Sequence, residues 1–359
     1  MVLAFISPAQ AQEPVYNIEN ITGDLYRFQS DDYYGVFLVT DEGIILVDPI
    51  STATAIWLKG ELKKRFDKSV LVVIYSHHHA DHISGGKVFE DSAQFYISHE
   101  NTKTMIPPGG EITIPTTTFA KGTYVELGGK RVEMYYLYRT HTNNLMSIYF
   151  PQEKTLFLAD AFFVKAIYPE DLKETFITST LESLTFLSKK LDFEIAIPSH
   201  GDWGNRADFL AYQQFLTKLN AEVTNRMLEG KSLSEIKAEI QMPDYRDWSN
   251  YEEGISAGIE KIYNGYFQGD YFPIKKVNPK YPRLAHEKNI CGTVLIEYDL
   301  KEDGTTENFR IVDSVPPKVF ERASINAAKK YKYFTKSYVK SVQTRIYFAL
   351  EGACHWEFN

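Results

Sequence analysis

Cysteines, basic clusters, long apolar runs and repeats are all scarce in this chain, and each scarcity closes off a class of protein. There are two cysteines in 359 residues, Cys291 and Cys354. That count excludes a disulfide-dense scaffold and a cysteine-rich metal module. No lysine and arginine run interrupts a chain of net charge -8, so the electrostatic footprint of a nucleic-acid binder is missing. No stretch is apolar for long enough to span a bilayer as a helix. There is no internal repeat and no low-complexity tract.

What is there is ordinary in bulk. A hydrophobic fraction of 44% and a charged fraction of 24% are those of a globular protein, and 359 residues are enough for two domains. Residues 1–12 hold a short apolar stretch followed by Ala9-Gln10-Ala11, a small-x-small cleavage pattern. This reads as a truncated signal peptide and places the protein in the periplasm or otherwise outside the cytoplasm. An unstructured N-terminus is the other reading. In an exported chain Cys291 and Cys354 form one disulfide or stay as two buried thiols.

Residues 25–49 read as a strand meander with a turn at Asp41-Glu42-Gly43. Ser51 is placed to cap a helix ending near residue 66. The apolar run Val70-Leu71-Val72-Val73-Ile74-Tyr75 is a buried strand, and further strands are expected at 94–98, 124–127, 132–137, 145–150, 155–158 and 195–198. Helices are expected at 182–191 and through 206–267, broken near Gly230 and Pro243. Interleaved strands and helices make this an α/β domain over residues 13–267. Residues 268–280 read as a linker. Residues 281–359 then form a small α+β unit.

One segment stands out. Directly after the apolar strand comes Ser76-His77-His78-His79-Ala80-Asp81-His82. Imidazole and carboxylate are the usual ligands of zinc and its neighbours. In extended backbone His77 and His79 point one way and His78 the other. His141, Asp160 and His200 each follow an expected strand, the common place for an α/β active site. Uncompensated His and Asp clustered inside a fold would cost several kcal/mol, a cost that a cation removes. Asp48, at another strand end, either braces the His loop from behind or caps a helix. His99 reads as a helix start rather than a ligand.

These residues resemble the metallo-β-lactamase fold superfamily. His77-x-His79-x-Asp81-His82 matches its HxHxDH signature, and His141, Asp160 and His200 match its later ligands in order. The resemblance implies a four-layer αββα sandwich. It implies one zinc at His77, His79 and His141, a second at Asp81, His82 and His200, and Asp160 as bridge. It further implies hydrolysis by a metal-bound hydroxide, with Asp81 as the catalytic group that orients the nucleophile. The substrate class would be a carbonyl compound such as a β-lactam, lactone or ester. Asp160 stands where one large group of true β-lactamases carries Cys. The alternatives are an iron-dependent persulfide or redox enzyme of the same fold, and an envelope adaptor with a vestigial hydrolase domain.

In the last 80 or so residues, Tyr281-Pro282, Gly292-Thr293-Val294-Leu295-Ile296-Glu297-Tyr298, Asp303-Gly304 and Tyr331-Lys332-Tyr333 resemble the TonB C-terminal domain. That implies an interaction module for an envelope or outer-membrane protein, beside the small-molecule substrate of the first domain. If strand 293–300 pairs antiparallel with 342–350, Cys291 and Cys354 fall near one end, as a disulfide requires.

Overall fold

The computed structural model describes residues 14–350, apart from 269, 270, 272 and 336. The signal reading of residues 1–12 lies outside the described residues.

Two sheets are built in chain order. The first holds β1 (Tyr16–Thr22), β2 (Leu25–Ser30), β3 (Tyr33–Val39), β4 (Ile44–Val47), β5 (Val70–Ile74), β6 (Phe95–His99) and β7 (Thr117–Phe119), in that spatial order. β1 to β4 are an antiparallel meander, and β4 to β7 run parallel. The second holds β8 (Gly122–Leu127), β9 (Lys130–Tyr136), β10 (Met146–Phe150), β11 (Thr155–Phe157), β12 (Ile195–Ile197) and β13 (Gly204–Asn205). The helices of this domain are α1 (Thr52–Phe66), α2 (Ala80–Ile83), α3 (Glu100–Met105), α4 (Pro169–Glu174), α5 (Ile177–Lys190), α6 (Arg206–Leu228), α7 (Leu233–Glu239) and α8 (Tyr251–Gln268).

Strand alternation sorts the core into layers. Val36, Leu38, Ile45, Val47, Val72 and Ile74 face the second sheet and meet Met134, Ile148 and Phe157 there. Phe37, Ile44, Leu46 and Val73 face the other way and meet Leu58 and Leu62 of α1. Leu184 and Leu187 of α5 and Phe209 and Leu216 of α6 close the far side. This is the four-layer αββα sandwich expected from the motifs. Ser51 caps α1 by accepting from the Thr54 N–H at 3.2 Å.

The C-terminal unit differs from expectation at its start. β14 (Pro273–Lys275) lies inside the expected linker and pairs with β17 (Lys332–Tyr333). The unit's main sheet has β15 (Gly292–Leu300) between β16 (Thr306–Val315) and β18 (Val339–Phe348), all antiparallel. Two short helices, α9 (Arg283–Glu287) and α10 (Glu321–Ala328), complete it. Val294, Ile296, Tyr298, Ile346 and Phe348 bury one face against Phe320, Ala327 and Ala328. The opposite face turns to the first domain. Tyr347 stacks on Phe186 of α5 at 4.7 Å, the Arg345 guanidinium lies 3.8 Å over the Tyr138 ring, and Lys276 pairs with Glu182 at 2.9 Å. Cys291, beside the Gly292–Phe348 register, is disulfide-bonded. Its expected partner, Cys354, lies outside the described residues.

Asp299, near the end of β15, ties that strand to β16 and to the start of β18. It accepts from the Ser341 N–H at 3.0 Å, Asn308 Nδ2 at 2.9 Å and Tyr338 Oη at 3.0 Å. These bonds, the Ser341 N–H foremost, hold its carboxyl well below the usual carboxylate range. A depressed folded pKa stabilises the fold above the unfolded pKa of about 4 and loses that contribution as pH falls below it. Acid unfolding of the C-terminal unit should therefore begin below about pH 4, and Asp299→Ala should flatten that step. A circular-dichroism pH series on the two proteins measures both.

Candidate metal centre

All the expected donors sit in loops at one end of the sandwich. His77 and His79 follow β5, and Asp81 and His82 open α2. His141 lies between β9 and β10, Asp160 follows β11, and His200 follows β12. The structure brings the seven together in two groups, His77, His79, His141 and Asp160, and Asp81, His82 and His200. Within each group one donor atom per residue lies within 4.8 Å of every other.

Asp160 joins the groups. Its Oδ2 lies 3.2 Å from His77 Nε2, 3.1 Å from His82 Nε2 and 3.6 Å from His141 Nε2, and its Oδ1 lies 3.4 Å from His200 Nε2. Yet His77 Nε2 and His82 Nε2 are buried with no partner at hydrogen-bonding angles. The two nitrogens thus crowd the carboxylate without hydrogen-bonding it. Orphaned buried ring nitrogens are costly unless something polar or cationic sits among them. A nitrogen and oxygen donor set of this kind fits zinc.

The electrostatics follow from burial against Asp160. Burial opposes a charge on His82, but Asp160 and Asp48 overcome it and hold its pKa well above the ordinary value. His77 is pushed well below by burial and then by the neighbouring His82 charge. Burial lowers His141 as well. Asp160 resists its own burial chiefly through the His82 charge, with the His200 and His77 rings close against it, and stays ionised far below the usual range.

Supports surround the donors. Asp48 accepts from the Ser76 N–H at 2.8 Å, bonds the Ser76 hydroxyl and sits 3.3 Å from His82 Nδ1. It therefore braces the His loop, while Ser51 caps the helix. Gly35 makes room for this, since a Cβ there would lie 2.5 Å from the Asp48 carbonyl oxygen. Ser199 donates its hydroxyl to Asp160, and His200 Nδ1 reaches the Asp32 carbonyl at 2.9 Å. His78 turns away to Asn144 Nδ2 at 3.1 Å. His99 opens α3, its Nδ1 accepting from the Asn101 N–H at 3.2 Å.

Glu174, the last residue of α4, has no counterpart in the sequence reading. Its Oε2 lies 3.8 Å from both His79 Nε2 and His141 Nε2, and the side chain is exposed. Nothing in a six-residue helix opened by proline marks it in advance. Ser199 was readable only as a neighbour of His200.

Comparison with known proteins agrees with this geometry. Residues 34–200 match the metallo-beta-lactamase superfamily, and residues 277–351 match the Gram-negative bacterial TonB protein C-terminal. The chain is 27% identical to 2,4-dinitroanisole O-demethylase subunit alpha of Nocardioides sp. over 54% of this chain and 60% of that protein. It is 22% identical to the metallo-beta-lactamase type 2 of Elizabethkingia meningoseptica over 54% of this chain and 81% of that one. The last segment is 33% identical to Protein TonB of Klebsiella pneumoniae over 22% of this chain and 32% of TonB. The chain thus spans less than two thirds of the demethylase subunit and about a third of TonB. Among solved structures, a metallo-beta-lactamase from Pontibacter korlensis aligns at TM-score 0.52 and 20% identity, covering 56% of this chain and 99% of that one. The sec-alkylsulfatase Pisa1 from Pseudomonas sp. aligns at 0.59 and 19%, covering 70% and 50%. Those two likenesses are of fold. Together the matches show a hydrolase-like fold similar to the metallo-beta-lactamase superfamily, carrying a His and Asp cluster suited to metal, followed by a segment similar to the TonB C-terminal. No helix among the described residues is long and apolar enough to cross a membrane.

Proposed function

We propose, from the premise that a metallo-β-lactamase superfamily fold is joined here to a TonB C-terminal domain, that the chain is a periplasmic zinc-dependent hydrolase. Its substrate is a small molecule with a carbonyl-type centre, such as a β-lactam, lactone or ester. The observation that carries this reading is the convergence of seven donors into two groups that share Asp160. His77, His79 and His141 would hold one zinc, Asp81, His82 and His200 a second, with Asp160 between them. Bound zinc supplies two things, a water acidic enough to ionise near neutral pH and a Lewis acid for the oxygen under attack.

The chain's own residues do the rest. Asp81 is the exposed carboxylate of the second group, 3.7 Å from His82 Nε2. Its side chain is about half exposed and open to water, so it would orient the attacking water, take its proton and deliver it to the leaving group. Asp48 and Ser76 fix the His loop behind the donors. Tyr33 and Tyr168 flank His200 at ring distances of 5.0 and 5.6 Å and wall that side. The TonB-like domain tethers the enzyme to an envelope protein; nucleic acid has no place in this scheme.

The test couples metal analysis to a substrate screen. Purified protein should hold two zinc ions per chain and hydrolyse at least one β-lactam, lactone or ester. Because the relatives' names include an O-demethylase and an alkylsulfatase, aryl methyl ethers and sec-alkyl sulfates belong in the screen. His79→Ala should lower the active rate by about 100-fold or more. A protein that binds no metal and stays inert ends the proposal. One that retains iron and turns over persulfides replaces it.

A further inference from the structure

The third histidine of the first group lies on a loop that the C-terminal domain touches. That loop closes at its base, where the Leu137 N–H donates to the Leu145 carbonyl at 3.0 Å. One side is pinned by the Asn143 carbonyl, which accepts from Tyr136 Oη at 2.7 Å and Asn101 Nδ2 at 2.9 Å. The other side is pinned by the Phe176 N–H, which donates to the Thr140 carbonyl at 2.9 Å. Between these points stands Tyr138, three residues before His141. Its φ is 58°, a left-handed backbone that a bulky residue adopts only when its surroundings impose it.

The loop holds Tyr138 from one side, through the Thr140 N–H donating to its carbonyl at 3.1 Å and the Tyr136 ring at 4.7 Å, and the C-terminal domain holds it from the other. The Arg345 guanidinium sits 3.8 Å over the Tyr138 ring. Arg345 is 7% exposed, so the contact is desolvated and stronger than a surface one. Arg345 is itself held, with Nη1 donating to Thr293 Oγ1 at 3.2 Å and lying 3.7 Å from Asp313 Oδ2. All three residues belong to the main sheet of the C-terminal domain, on the face turned to the first domain. Beside the contact runs a cleft of about 740 Å³ whose walls come from both domains, Arg139 and Phe176 on one side and Lys340 and Gln343 on the other. The loop is therefore not packed solidly behind Tyr138. Other contacts join the domains around it, Tyr347 on Phe186 and Lys121 with Asp313 at 3.0 Å, but at Tyr138 itself the Arg345 guanidinium is the C-terminal group that meets the loop.

We infer that Arg345 is a positioning residue for the metal centre, acting through Tyr138 to hold His141 in place. The TonB-like domain is then part of the hydrolase's working structure and not only a tether. This rests on the assignment of His141 to a metal site. The consequence is asymmetric. Loosening the clamp weakens the ion held by His77, His79 and His141, and leaves the ion held by Asp81, His82 and His200 as it was.

Titration of the full chain with cobalt(II), followed by visible absorption, tests this. Wild-type protein should show two binding events. Arg345→Ala should weaken one of them by about tenfold, the usual scale for losing a support of a metal-binding histidine. Tyr138→Phe keeps the ring face and should bind as wild type does. Should Arg345→Ala not fold, Tyr138→Gly decides, because glycine accepts the left-handed backbone while the ring is lost; it should show the same selective weakening. Unchanged binding in the deciding variant overturns the inference and leaves the metal centre standing. Equal weakening of both ions also overturns it. Absence of cobalt binding in the wild type removes the metal-centre reading itself, and this inference with it.

Discussion

Asp160→Ala is expected to leave the protein with at most one zinc ion after desalting, where the wild type retains two. Activity on any substrate found in the screen should fall by at least about 100-fold. The reason is the position of one carboxylate. Asp160 is 2% exposed and has four histidine nitrogens within 3.6 Å. Among the described residues no other carboxylate lies as close to donors of both groups. Without it, four imidazoles, three of them buried, face one another with no negative charge between them, and a divalent ion placed there would be under-neutralised. Asp160→Asn should fare little better, since the shape returns but the charge does not. Metal content by atomic emission, measured beside the folded fraction, separates loss of the ion from loss of the fold. Two ions retained in Asp160→Ala would show that the bridge assignment is wrong.

Asp48→Ala should be the most damaging single change away from the donors themselves. Asp48 is fully buried, and its two oxygens are used by the Ser76 N–H, the Ser76 hydroxyl and His82 Nδ1. Truncation leaves a buried N–H, a buried hydroxyl and a histidine without their acceptor. Breaking a buried charged pair by removing one side costs roughly 3–5 kcal/mol. For a domain of this size that is a fall of about 10 °C in its thermal transition. The loss should appear in protein stripped by chelator as well as in the zinc-loaded form, because these bonds do not involve the ion. A calorimetric scan of both forms checks it. A deficit confined to the loaded form would mean that Asp48 acts on the metal alone and does not brace the loop.

How much of this was legible in the sequence depends on how local the signal was. The His77 loop, the turn of His78 away from the site and the Ser51 cap are written in adjacent residues, through strand alternation and cap chemistry. Asp48 as a brace was one of two readings, and only the contact with Ser76, 28 positions away, decided between them. β14 was hidden because three residues opening on proline carry no alternation, and its partner is far along the chain. α4 was hidden for a related reason, being one short turn whose proline start reads equally well as a loop. Glu174 went unseen with it. The docking of the two domains was the least legible of all. Nothing in the sequence around Leu295, Arg345 and Tyr347 says which face of the sheet is covered, and only the packing on Tyr138 and Phe186 shows it.

The placement of the donors also has a mechanical side. His77, His79, Asp81 and His82 hang from the first sheet, and His141, Asp160 and His200 from the second. An ion gripped by both sets would work as a rivet through the sandwich. It would resist sliding of one sheet over the other, and it would fasten together segments separated by more than a hundred residues, as from His82 to His200. In the unfolded chain such a fastening would confine a loop of that length, a restriction comparable to a long-range disulfide of roughly 4–5 kcal/mol. With zinc held as proposed, a protein with few cysteines would gain a long-range crosslink that a chelator could undo and added zinc restore.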